Sequence, residues 1–272
     1  MYLLEIKKAI SNKFFWAAVA VSIILHFISF SYEYMEISTG KMAHLAHLTY
    51  LVIDMSYVQW FKAFLVMLPF VNNFIDEWNS GQYYNVILRC GIRKYITAKL
   101  LSVAVSASLI YCIPAIVVYI AGIILCHGNV DYGSAQYSIY GDAGENMLYR
   151  LQQDGKGTVL FLIENLTRCG IYIMHGIVGA ALCVYIKNKY VALVLPFFCT
   201  VFSGFLVDTV GSITGNAYVY LLHPVHTMCY MSATKLQMWM SGVPFTFGLM
   251  VVVILCNVGI FMYGVKRRRR YG

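Results

Sequence analysis

Charge is scarce in this chain. Only 12% of its 272 residues are Asp, Glu, Lys or Arg, where a soluble domain carries about 25%, so the composition speaks against a water-soluble fold. The ten-residue alternation of a membrane β-barrel is missing too. Eight cysteines are present, at 90, 112, 126, 169, 183, 199, 229 and 256, but none forms a CxxC pair. Most sit inside apolar runs, where a free thiol behaves as a small hydrophobe. A disulfide or metal framework is therefore not expected, and only Cys126 and Cys229 are placed to face an oxidising exterior. The phosphate-cradling pattern GxxxxGK[ST] is absent: Gly40-Lys41 lacks the upstream glycine and the following Ser or Thr. The chain has no P-loop of its own. It also has no HExxH, no GxSxG and no paired acids inside the apolar runs. After the first apolar run no small-residue cleavage site follows; the run exits through Phe30-Ser31-Tyr32-Glu33. Although Lys7, Lys8 and Lys13 precede it, the expectation is an uncleaved span.

What is present is apolar length. Sixty per cent of the residues are apolar, the mean hydropathy is +0.68, and several runs reach the roughly 20 residues that cross about 30 Å of hydrocarbon. An all-α integral membrane protein follows, forming a single domain over 1–272. Six spans are expected at about 14–31, 57–74, 98–125, 163–186, 190–207 and 243–265. Residues 1–13 interleave Leu3, Leu4, Ile6 and Ile10 with Glu5 and three lysines, the pattern of an amphipathic helix lying on the membrane surface. Pro69, Pro114 and Pro196 interrupt spans two, three and five, and a kink is expected where a proline frees a backbone carbonyl. The loop at 127–157, rich in Tyr, Gly, Asp and Gln, has no apolar run large enough for a core. The segment 208–242 is too interrupted to span and too apolar for a free loop, so re-entrant or interfacial helices are expected there.

Basic residues orient the chain. With the N-terminus inside, the inner segments collect Lys7, Lys8, Lys13, Arg89, Arg93, Lys94, Lys99, Lys187, Lys189 and the five bases at 266–270, fourteen of the twenty. They hold only Glu5, Asp76 and Glu77 of the twelve acids. Both termini are therefore expected in the cytoplasm. The cationic tail reads as a topology anchor in contact with lipid headgroups, not as a nucleic-acid site.

Three sets of polar residues stand out. His44/His47 and His223/His226 have the spacing of ligands on one helical face, yet neither pair has a third ligand nearby. Lys62, and the pair Glu164 and Arg168 one turn apart, fall within or beside apolar runs. The structural reading is favoured for all three: Lys62 snorkelling to the outer surface, and Glu164 neutralising Arg168. The connector at 75–97 is the richest. Asp76-Glu77 precede a turn-prone Asn79-Ser80-Gly81, and then a short helical stretch, Gln82 to Cys90, carries Tyr83, Tyr84, Ile87 and Leu88. Such a helix suits a hydrophobic groove on a partner.

On these residues the chain resembles the permease subunits of ABC-2 type exporters. The shared pattern is an acid, a glycine four residues later, an apolar short helix, then Arg, an aromatic and Lys, here Glu77, Gly81, Leu88, Arg93, Tyr95 and Lys99. His223-Pro224 resembles the Pro common in the last outer segment, while the loop between spans three and four is longer and more polar than in the plainest members. The resemblance implies a connector that docks on a separate ATPase subunit, which binds the ATP and Mg; no cofactor is expected in this chain. Tyr83, Tyr84, Ile87 and Leu88 would form the docking surface, with Glu77, Gly81 and Arg93 bracing it. It further implies a second permease subunit, a lipid setting in a bacterial cell (plasma) membrane, and export of a peptide, lipid or hydrophobic compound, bacteriocin-like peptides included. The competing readings are a polytopic membrane enzyme and a non-transporting sensor or immunity protein.

Overall fold

A computed structural model of the chain describes residues 1–38, 58–125, 157–215, Val219 and 236–271. His44, His47, His223, His226, the loop at 127–156 and the side chain of Glu164 lie outside the described residues, as does the middle of the expected re-entrant segment, 216–235 apart from Val219; its last residues, 236–242, are the start of a long helix. Eight α-helices carry nearly all of the described residues: α1 Tyr2–Ile10, α2 Lys13–Ser38, α3 Val58–Asn79, α4 Gln82–Cys90, α5 Ile92–Leu125, α6 Gly157–Cys183, α7 Lys189–Thr214 and α8 Leu236–Tyr271.

Among the described residues four stretches are long and apolar enough to cross a membrane: Lys13–Ser31, Ile92–Gly122, Lys189–Thr214 and Phe247–Arg268. Among the residues described with their side chains, α6 contributes the shorter apolar stretch Arg168–Cys183. Several helices outrun the apolar runs that mark them. α3 continues five residues past the expected 74, so Asp76, Glu77 and Trp78 form its last turn. α7 reaches Thr214, taking 208–214 out of the expected re-entrant segment, and stops at Gly215 with φ 62°. α8 runs on through the basic tail. The reason is common to all three: hydropathy ends a span, but Asp, Glu, Lys and Arg do not end a helix; in α7 the left-handed Gly215 does. The helices also continue through Pro69, Pro114 and Pro196.

The core is built where α3 passes between its neighbours. Phe70, Phe74 and Trp78 on α3 stack in series at 4.9 and 5.3 Å, and Phe261 of α8 lies 5.7 Å from Phe74. Small residues let the backbones close up, as is usual between membrane helices. A Cβ on Gly176 would meet Val103 of α5 at 2.9 Å, and one on Gly179 would fall on the side chain of Met67.

The chain returns repeatedly to one end of the bundle. There α1 packs on α5, with the Tyr2 hydroxyl 3.1 Å from Thr97. Asn12 caps α2 through Phe14 N–H at 3.0 Å and donates to the Pro69 carbonyl of α3, also at 3.0 Å. Asn79 at the end of α3 donates to the Lys187 carbonyl in the α6–α7 turn at 3.1 Å. Arg268 of α8 lies over Trp78. The N-terminal helix, the α3–α5 connector, the α6–α7 turn and the basic tail therefore share one end.

Candidate functional site: the connector end

Lys99 is the centre of this end. It sits on the second turn of α5, only 3% exposed, with its ammonium 2.6 Å from Glu77 Oε2 of α3 and 2.7 Å from Glu5 Oε2 of α1. Tyr95, one turn earlier, donates its hydroxyl to Glu77 Oε1 at 3.0 Å. Lys8 donates to Glu5 Oε1 at 3.3 Å from a half-exposed position. A buried ammonium is tolerated only when its donors and countercharges are supplied, and here two helices supply one carboxylate each. Burial alone would raise the Glu5 pKa, but Lys99 and then Lys8 outweigh it and hold the carboxyl below its ordinary 4.5. The three helices that meet at Lys99 are thereby fixed to one another.

The connector proper is short and stiff. Ser80 N–H donates to the Asp76 carbonyl at 3.0 Å, and Ser80 Oγ donates to the Glu77 carbonyl at 3.3 Å. Gly81 then turns the chain with φ 75°, and Gly91 ends α4 with φ 82° and ψ 149°. Both torsions lie where a side chain is disfavoured, which gives the Gly81 of the sequence pattern a physical reason.

The expected docking set divides in two. Tyr83 and Ile87 are 6% and 3% exposed and turn into the bundle, so they are not surface. Tyr83 packs on Trp78 at 4.4 Å, and the Arg268 guanidinium lies 4.8 Å from the Trp78 ring and 5.8 Å from Tyr83. Tyr84 and Leu88 are 47% and 61% exposed and share the outer face with Asn85 and Arg89. Residues four apart share a helical face, so periodicity pairs 83 with 87 and 84 with 88 but does not say which pair is inward. Of the residues expected to brace the connector, Glu77 joins α3 to α5 through Lys99, and Arg93 is exposed on the first turn of α5. Sequence reading passed over Glu5, Trp78 and Arg268. For Glu5 a signal existed: it is one of only three acids in the base-rich segments.

A second polar group lies deeper in the bundle. Lys62 is 5% exposed, so it is enclosed by helices and does not reach the surface as expected; its ammonium is 5.9 Å from the Tyr172 ring. Tyr111 packs against Tyr172 in a tilted pair at 4.7 Å and donates to Asn165 Oδ1 at 2.6 Å. Arg168 and His175 of α6 and His26 of α2 are also buried, and each imidazole Nδ1 bonds a carbonyl of its own helix, at 2.7 Å for His26 and 2.8 Å for His175. Among the described residues no three His, Cys, Asp or Glu side chains converge to hold a metal ion.

Among the described residues the arrangement is all-helical, with four helices long and apolar enough to cross a membrane and a charge-pinned connector at one end. Compared with models of known families and with curated protein sequences, the chain matches none.

Proposed function

We propose that the chain is the membrane-spanning permease subunit of an ATP-driven exporter of the ABC-2 type. In this reading α2, α3, α5, α6, α7 and α8 are the six spans, α1 lies on the cytoplasmic surface, and both termini are cytoplasmic. A separate ATPase subunit binds ATP and Mg, docks against α4 and drives export of a peptide, lipid or hydrophobic compound through a pair of permease subunits. The observation that carries the reading is the build of α4. Its inner face, Tyr83 and Ile87, is locked into the core, while its outer face offers Tyr84 and Leu88 to a partner. Force on that face passes to α3 through the tight Ser80-Gly81 turn, and to α5 and α1 through Glu77, Lys99 and Glu5. A helix that is exposed on one side and rigidly braced on the other transmits displacement instead of absorbing it. The substrate class rests on the sequence resemblance alone.

Placing a photo-crosslinking phenylalanine analogue at Tyr84 in intact cells tests this. The expected product is a crosslink to a P-loop ATPase, with none when the analogue replaces buried Tyr83. Crosslinking of Tyr84 only to lipid or to a second copy of the chain contradicts the docking assignment.

A further inference from the structure

A cavity of about 580 Å³ opens between α1, the last turns of α3 and the start of α5, within the roughly 300–1,000 Å³ common for small-ligand sites. Ala9, Phe70 and Phe74 are its apolar lining. Its charged lining is three carboxylates, Glu5, Asp76 and Glu77, with two ammonium groups, Lys8 and Lys99, so three minus two leaves one net negative charge. Lys99 is already held between Glu5 and Glu77. Asp76 is exposed, and among the described residues no cation lies within ion-pair distance of its carboxylate. Asn73, one turn before, adds an amide to the lining. A carboxylate with spare lone pairs beside an amide oxygen calls for a cation that has several N–H donors. Lys8 and Ser11, on the α1 side, supply an ammonium and a hydroxyl suited to an oxyanion. The level of the cavity is set by α1, which exposes Leu3 at 82% and Leu4 at 55% beside Lys7 and Lys8, the layout of a helix lying among headgroups.

We propose that this cavity binds a phosphoethanolamine headgroup, with its primary ammonium among Asp76, Asn73 and Glu77 and its phosphate against Lys8 and Ser11. The proposal rests on the membrane setting of the chain and is independent of the exporter reading. A choline headgroup has the same charge but no N–H to donate, and a glycerol headgroup has no cation, so discrimination among the three is the signature of the site.

The test is a lipid titration of the full chain, purified and delipidated in detergent, read by native mass spectrometry. Phosphatidylethanolamine, phosphatidylcholine and phosphatidylglycerol of identical acyl chains are compared. The ethanolamine lipid is expected to bind about tenfold more tightly than the other two, the worth of one charge-assisted hydrogen bond. Asp76→Asn is expected to abolish that preference, and Lys8→Gln to weaken all three lipids. Both side chains are exposed enough for the variants to fold, which an unchanged melting temperature without lipid verifies. Soluble glycerophosphoethanolamine is added as competitor: displacement at matching concentrations identifies a free metabolite as the ligand, and failure to displace identifies the membrane lipid. Equal binding of the ethanolamine and choline lipids by the wild-type chain, or a preference untouched by Asp76→Asn, overturns the proposal.

Discussion

At the scale of single residues, the connector end depends on the balance around Lys99. Deleting the ammonium leaves Glu5 and Glu77 partly buried without their shared countercharge, and breaking a buried pair in this way costs about 3–5 kcal/mol. Lys99→Met is therefore expected to lower the thermal unfolding temperature in detergent sharply, with Glu5→Gln smaller, since Lys99 then keeps Glu77. The sign of the pH effect follows from the lowered Glu5 pKa. A carboxyl whose folded value lies below its unfolded value contributes stability that is full above the unfolded value and is lost as pH falls through the folded one. Stability is expected to decline on acidification below the ordinary glutamate value of 4.5, and Glu5→Gln is expected to flatten that part of the decline; unfolding scans across that range check it. Gly81→Ala places a methyl where φ is 75° and is expected to cost about 1–2 kcal/mol. Of these residues, Glu77, Gly81 and Lys99 stand out in the sequence because charge and glycine are informative in an apolar chain. Glu5 is marked only as one of three acids in the base-rich segments; its partner is 94 positions away, and only the packing of α1 on α5 brings the two together.

For α4 as an element, the two faces have opposite mutational signatures. Tyr83→Ala empties a buried site against Trp78 and Arg268, and loss of a large buried aromatic costs about 3–5 kcal/mol. Leu88→Asp alters a side chain that is already 61% exposed, so its effect on unfolding is expected to stay within about 0.5 kcal/mol while coupling to a partner is lost. A parallel measurement of unfolding and transport for the two variants separates the faces; equal destabilisation by both contradicts the assignment. The helical nature of this stretch is legible from its apolar spacing, but its orientation is not. An amphipathic helix with Tyr83, Tyr84, Ile87 and Leu88 has two adjacent apolar pairs, and the choice between them is made by Trp78 and Arg268, which approach from other helices.

For the whole molecule, the all-helical, apolar character is legible in composition and run length. Helix ends are not, because polarity marks where lipid stops and not where hydrogen bonding stops; α3 at Asn79 and α8 at Tyr271 show this. The convergence of α1, α4, the α6–α7 turn and the end of α8 on one end of the bundle accords with the bias of basic residues. Single cysteines at Asn85, Lys187 and Arg267, each exposed, are accordingly expected to react with a membrane-impermeant maleimide only after the cytoplasmic side is opened. Labelling of any of the three from outside contradicts the proposed orientation. Whether a separate motor acts on α4, as proposed, is decided by affinity purification of the chain in mild detergent. A P-loop ATPase is expected at near-equal amounts with the wild-type chain and is expected to be lost with Leu88→Asp. Absence of such an ATPase from the wild-type preparation, or its full retention by Leu88→Asp, contradicts the proposal.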